Sequence, residues 1–116
     1  MKIAIVGSRK FPRPELVRQC VRRLAEKHPG FILISGGAQG VDTWAADEAS
    51  ALGIEVIVFP ADWDRYGRAA GMLRNTDIVK EADAVIAFHD GVSKGTKDTM
   101  NKARAHGKKL RVVECR

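Results

Sequence analysis

Three short stretches hold the residues whose types and spacing could do chemistry. The longest is Gly36-Gly37-Ala38-Gln39-Gly40-Val41-Asp42, directly after the apolar run Phe31-Ile32-Leu33-Ile34. Glycine lets the backbone come close to an anion, and a helix start beyond it offers free N–H groups and a favourable dipole. The chemistry would be phosphate binding. The run is Gly-Gly-x-x-Gly. It is neither the Gly-x-Gly-x-x-Gly of dinucleotide folds nor Gly-x-x-x-x-Gly-Lys-Ser/Thr, so spacing alone leaves a plain strand-to-helix turn open. Asp42 could cap the following helix or meet a ligand hydroxyl. The second stretch is Gly7-Ser8-Arg9, and the third is Ser93-Lys94-Gly95-Thr96. Each offers backbone N–H groups or hydroxyls, and Arg9 and Lys94 add positive charge.

A fourth cluster, Asp62-Trp63-Asp64-Arg65-Tyr66-Gly67-Arg68, combines aromatic and basic residues. Trp63 or Tyr66 could stack a base beside a phosphate-holding cation. A surface loop with Trp63 packed on the core explains the same residues. Arg74 and Asn75 follow near the start of a helical pattern. Lys97, Lys102 and Arg104, with Lys94 before them, could touch nucleic acid or simply form a solvated helix face. No Ser/His/Asp arrangement marks an activated nucleophile. His28, His89 and His106 lack ligand spacing, and His89-Asp90 is a lone pair of metal candidates. The sequence therefore assigns no resident metal or cofactor; Mg²⁺ could arrive with a nucleotide's phosphates.

Positioning these stretches requires a frame. Lys2 to Val6, Phe31 to Ile34, Ile54 to Phe59, the segment within Asp83 to Phe88, and Leu110 to Val113 read as short buried strands. Helical patterns lie between them. The first starts at Pro14, with Leu16, Val17, Cys20, Val21 and Leu24 on one face, and stops at Pro29-Gly30. Another covers Thr43 to Leu52 and stops at Gly53. A third carries Met72, Asn75, Ile78, Val79 and Ala82. The last is capped by Thr96 and runs to His106. Ala61 to Gly71 is the least regular part. Five strands alternating with helices predict an α/β fold: a parallel sheet with helices on both faces. Ligands on such sheets bind beyond the strands' C-terminal ends, where the strand order reverses.

Length and charge narrow the function. The 116 residues predict one domain, 1–116, large enough for a true core. The formal charge of +6 favours an anionic partner without choosing between DNA, RNA and a nucleotide. Cys20 and Cys115, the two cysteines, make neither a disulfide framework nor a metal knuckle. The N-terminal apolar run, Ile3 to Val6, is too short for a signal peptide or a membrane span. The expectation is a cytoplasmic protein with no membrane partner.

The motifs together resemble the SLOG superfamily of Rossmann-like proteins, named after the DNA-processing protein Smf/DprA and the cytokinin-activating LOG enzymes. The compact YspA, or YpsA-related, branch of bacteria and their phages is the most similar. The resemblance covers about residues 2 to 113. It rests on Gly7-Ser8-Arg9, on Ser35-Gly36-Gly37-Ala38-Gln39-Gly40-Val41-Asp42, on Ala70-Gly71-Met72-Leu73-Arg74-Asn75, and on Lys94-Gly95-Thr96-Lys97-Asp98. It implies a three-layer α/β/α sandwich with strand order 3-2-1-4-5. It also implies a pocket for a nucleotide or nucleotide derivative, bound or sensed rather than necessarily hydrolysed. The ligand-binding set would be Gly7, Ser8, Arg9, Gly36, Gly37, Ala38, Gln39, Gly40, Asp42, Trp63, Arg74, Asn75, Lys94, Gly95 and Thr96. Valine in place of Gly37 is expected to abolish binding in a folded protein.

LOG enzymes carry Pro-Gly-Gly-x-Gly-Thr-x-x-Glu after strand four, and that glutamate helps cleave the N-glycosidic bond of a nucleoside monophosphate. Here Gly95-Thr96 aligns, but Thr99 occupies the glutamate position. Asp98 is one residue early, about 100° away on a helix. Asp42 or Asp98 would have to act in a phosphoribohydrolase, the second functional expectation. The third is a single-stranded DNA-binding protein, by analogy with DprA. Self-association in related proteins leaves room for a homo-oligomer.

Overall fold

A computed structural model describes residues 1–114; Cys115 and Arg116 lie outside the described residues. Five strands form one parallel sheet in the order β3-β2-β1-β4-β5. They are β1 (Lys2–Gly7), β2 (Ile32–Ser35), β3 (Val56–Val58), β4 (Ala84–His89) and β5 (Lys109–Glu114). Four long helices connect them: α1 (Pro14–Lys27), α2 (Val41–Ala51), α4 (Ala70–Glu81) and α5 (Lys94–Ala105). A short helix, α3 (Trp63–Tyr66), and a 3-10 turn at Gly67–Ala69 lead into α4. The irregular stretch of the sequence reading is thus mostly helical turns, with Asp62 accepting the N–H of Arg65 at 3.2 Å to cap the first.

Alternation along the strands separates the two layers. On β1, Ile3 and Ile5 face one core with Leu33, Phe31, Val17, Val21, Val41 and Ala45, beneath α1 and α2. Ala4 and Val6 face the other with Ile34, Ile78, Val79, Val85 and Ala103, beneath α4 and α5. Right-handed crossovers account for this division, because helices after β1 and β2 fall on one face and those after β3 and β4 on the other. Phe11, 2% exposed, anchors the β1–α1 loop by an edge-on contact with Phe88 at 5.4 Å between ring centroids.

The order reverses between β1 and β4, where Gly7 is paired in register with Phe88. Three connections leave the sheet's C-terminal edge around that point: β1–α1, β2–α2 and β4–α5. The convergence of the three motif-bearing loops is therefore a consequence of topology. One helix boundary is corrected. Ser93, not Thr96, caps α5; its Oγ accepts the N–H of Thr96 at 3.3 Å. Thr96 is already inside the first turn. Among the described residues no helix is long and apolar enough to cross a membrane.

Candidate functional site

The β2–α2 turn is built by close approach. Gly40 has φ +82°, and a Cβ there would fall 2.6 Å from the carbonyl oxygen of Arg9. Glycine at this point lets the turn lie directly on the β1–α1 loop. Gly7 does the same for the helix: a Cβ would meet Val41 at 2.6 Å. Asp42 stands in the first turn of α2 and is 5% exposed. It does not cap the helix terminus. Its Oδ2 instead accepts the N–H of Ala38 at 3.2 Å and braces the turn from below. Thr43 adds a bond from Oγ1 to the carbonyl of Ala38 at 2.8 Å.

Burial pushes the Asp42 carboxyl up to about 6, against the pull of the Ala38 N–H, the Arg74 guanidinium and the Gly36 N–H. Its Oδ1 is buried without a hydrogen-bond partner. Arg74 reaches across from α4, donating from Nη1 to the carbonyl of Gly36 at 2.5 Å and from Nε to Asn75 Oδ1 at 3.0 Å.

The three loops enclose a cleft of about 450 Å³. Of the residues singled out from sequence, it brings together Gly7, Arg9, Ala38, Asp42, Trp63, Arg74, Asn75, Lys94, Gly95 and Thr96. Gly36, Gly37 and Gln39 line an adjoining groove of about 270 Å³ instead, which shares Arg9, Ala38, Trp63 and Arg74 with the cleft. Gly40 lines neither. Ser8 is 1% exposed, with its Oγ accepting the N–H of Asp90 at 3.2 Å and lying 3.5 Å from Thr96 Oγ1. Its hydroxyl ties the β1–α1 loop to the β4–α5 loop rather than facing the cleft.

Trp63 is 53% exposed at the cleft margin and is not packed in the core. Tyr66 lies outside the cleft, with the Arg65 guanidinium 5.1 Å over its ring. Asp98 is also outside. Its carboxylate takes an ion pair from Lys102 at 2.8 Å and a hydrogen bond from Asn75 Nδ2 at 3.2 Å. Thr99 does line the cleft, but its hydroxyl donates to the carbonyl of Gly95 at 3.2 Å.

The ligand-binding set left out Lys10, Arg68, Met72, Asp90, Ser93 and Thr99, which also line the cleft, although Arg68 and Ser93 stand in stretches already singled out. Lys10 directly follows a motif and Arg68 belongs to the aromatic–basic cluster, so proximity was the available signal. With them, five cations surround the cleft: Arg9, Lys10, Arg68, Arg74 and Lys94. The opposing Asp90 is committed to its own turn. Its Oδ1 accepts the N–H groups of Val92 and Ser93, each at 2.9 Å, and the Val92 bond is foremost in holding the carboxyl below the usual range. His89 Nδ1 accepts the N–H of Gly91 at 2.8 Å. No group of three or more potential metal ligands occurs among the described residues. Ser93 takes up the N–H of Thr96, and Lys94 and Gly95, whose first-turn N–H groups have no partner within the helix, both line the cleft. The arrangement can hold a multiply charged anion beside an exposed aromatic ring.

Comparison with known proteins agrees with this architecture. The model of the YspA, cpYpsA-related SLOG family (YAcAr) matches residues 1–66. The Gene 61 protein of Mycobacterium phage D29 is 31% identical over 113 residues, covering 91% of this chain and 90% of the relative. Among solved structures, DNA processing protein A from Helicobacter pylori, described with a single-stranded DNA binding mode, superposes with a TM-score of 0.78 at 22% identity. All of this chain is covered there, and 66% of that one. DprA from Streptococcus pneumoniae gives a TM-score of 0.79 at 21% identity, over 96% of this chain and 49% of that one. The chain thus spans about half to two thirds of the solved proteins it resembles, and at these identities the likeness is one of fold.

Proposed function

The chain belongs to the YspA, cpYpsA-related SLOG family, and on that premise we propose that its cleft is a binding or sensing site for a nucleotide or nucleotide-derived ligand. The observation that carries this reading is the meeting of five cations and the open first turn of α5 around one cleft with an exposed tryptophan at its margin. Phosphate would lie between Arg9, Lys94 and the N–H groups of Lys94 and Gly95. Arg74 and Asn75 would reach it from α4, and Trp63 would stack the base. Mg²⁺ enters this reading only as a companion of the phosphates. Binding without turnover is the economical version. Thr99 supplies no acid where the related hydrolases have glutamate, and Asp98 is engaged elsewhere. Asp42 is left as the carboxylate available to a phosphoribohydrolase.

A thermal-shift panel tests this: AMP, ADP, ATP, GTP, NAD, ADP-ribose, cyclic nucleotides and a short single-stranded DNA, at low and moderate salt. A ligand at about a hundred times its dissociation constant adds roughly 2.7 kcal/mol. That should raise Tm by several degrees. A shift with one small nucleotide that persists in salt supports the reading. Release of free base from that ligand would convert it to the hydrolase version.

Single-stranded nucleic acid is the second reading. It is favoured by the fold likeness to DprA and by the groove that continues the cleft past Trp63. It predicts affinity that falls steeply with salt. A response to DNA alone, lost in salt, would put it first.

A further inference from the structure

A second groove, of about 250 Å³, lies on the opposite side of the sheet from α5, between α1 and β5. It shares no lining residue with the cleft. β5 is an edge strand, paired with β4 alone. On one face Leu110 packs against the core beneath α4 and α5. On the other, among the described residues, no helix lies over β5, and Val113 with Phe88 floors the groove. Parallel strands are normally covered on both faces.

Two rows of α1 residues run along this groove, each with a spacing of four. The inner row is Leu16, Cys20 and Leu24, all half-buried. The outer row is Gln19, Arg23 and Lys27, exposed at the lip. Each row extends about 12 Å along the helix. Arg111 of β5 forms the facing lip. Among the described residues no carboxylate pairs with Arg23, Lys27 or Arg111. Burial raises the Cys20 thiol above its ordinary range even beside Arg111 and Arg23, so it stays neutral and serves as part of the apolar row.

We propose that this groove docks an acidic amphipathic helix of a partner protein, its apolar stripe between α1 and β5 and its carboxylates toward Arg23, Lys27 and Arg111. Such a helix would complete the layer over β5. An apolar stripe with three- and four-residue spacing matches the inner row, and two lips of like charge select acidic flanks. A second copy of this chain is the wrong occupant, because it brings the same cations and a net charge of +6. A nucleic-acid strand would satisfy the lips but leave the apolar floor unused.

The test uses the full chain and a synthetic helical peptide of about 15 residues, with leucine at three- and four-residue intervals flanked by glutamate. Its glutamine counterpart and a short oligothymidylate serve as comparisons. Backbone amide shifts are followed by NMR. The acidic peptide is expected to shift the amides of 16–27 and 109–113 saturably. Glutamine in the peptide, or the Arg23→Gln/Arg111→Gln variant, should weaken this at least about tenfold. Both arginines are exposed, and the variant's own spectrum reports whether its fold persists. Equal binding of the two peptides, or no shift in these segments, would overturn the proposal. So would shifts there from the oligonucleotide in place of the peptide.

Discussion

Arg74 donates from Nη1 to the carbonyl oxygen of Gly36 at 2.5 Å, joining α4 to the Gly-rich turn across 38 positions of sequence. A Cβ on Gly36 would fall 2.8 Å from both that nitrogen and Asp42 Oδ2. The turn is therefore clasped between a cation and a carboxylate. This clasp fixes the turn to α4 where the cleft meets the adjoining groove.

Removing the cation should loosen the clasp. Arg74→Ala leaves the buried Gly36 carbonyl without its donor, at a cost of about 1–3 kcal/mol in urea unfolding. It should also weaken anion binding in the cleft. Arg74→Lys keeps the charge but not the fork, and should recover part of the stability and little of the affinity. A variant with unchanged stability and unchanged affinity would remove Arg74 from both roles.

Asp42 should make stability depend on pH. Its carboxyl is raised in the folded chain from 3.8 to about 6 by burial. Below pH 3.8 it is protonated in both states and carries no penalty. As pH rises through that value the unfolded chain ionises first, so stability falls until about pH 6 and then levels. The span is about two pH units, each worth about 1.4 kcal/mol, so the loss is at most about 3 kcal/mol. Asp42→Asn should flatten this part of the profile in urea titrations between pH 4 and pH 7. Superposable profiles for the two proteins would count against an ionised, buried Asp42.

Gly95 tests occupancy of the cleft more cleanly than Gly37. Gly37 has φ +70°, and a Cβ there would meet Val58 Cγ1 at 2.9 Å. Valine at that position would strain the turn by about 1–3 kcal/mol and confuse lost binding with lost structure. A Cβ on Gly95 meets nothing within 4 Å, although the residue lines the cleft. Gly95→Val should therefore leave Tm unchanged or slightly raised, since glycine is the poorer helix former. It should abolish the thermal shift given by the ligand. Retained binding would place the phosphate away from the start of α5.

Trp63 should report the ligand directly. Being exposed, it contributes little to stability, and Trp63→Ala should change unfolding by no more than about 0.5 kcal/mol. If it stacks a base, the same change should cost about 1–3 kcal/mol of affinity. The wild type should show tryptophan quenching on binding, with half-buried Trp44 as the internal reference. Quenching that survives in Trp63→Ala would assign the signal to Trp44 and leave the base unstacked.

The sequence by itself determined the five strands, the four long helices and the loops that carry the motifs. Apolar runs bounded by glycine and proline are local signals, and burial on both faces of a parallel sheet leaves them little freedom. The strand order was legible through the family resemblance, which the matching SLOG family and the observed sheet both uphold. Tertiary structure decided which way the motif side chains point. Ser8 and Arg9 are neighbours in sequence, yet one hydroxyl is sealed between two loops while the other side chain stands in the cleft. Asp98 and Thr99 divide in the same way, because one residue along a helix turns a side chain by about 100°. The Asp98 carboxylate then finds Lys102 and Asn75. Gly36 reads as an open phosphate turn until Arg74 arrives from α4. Contacts of that span depend on how whole helices pack, and no pattern within a few residues encodes them.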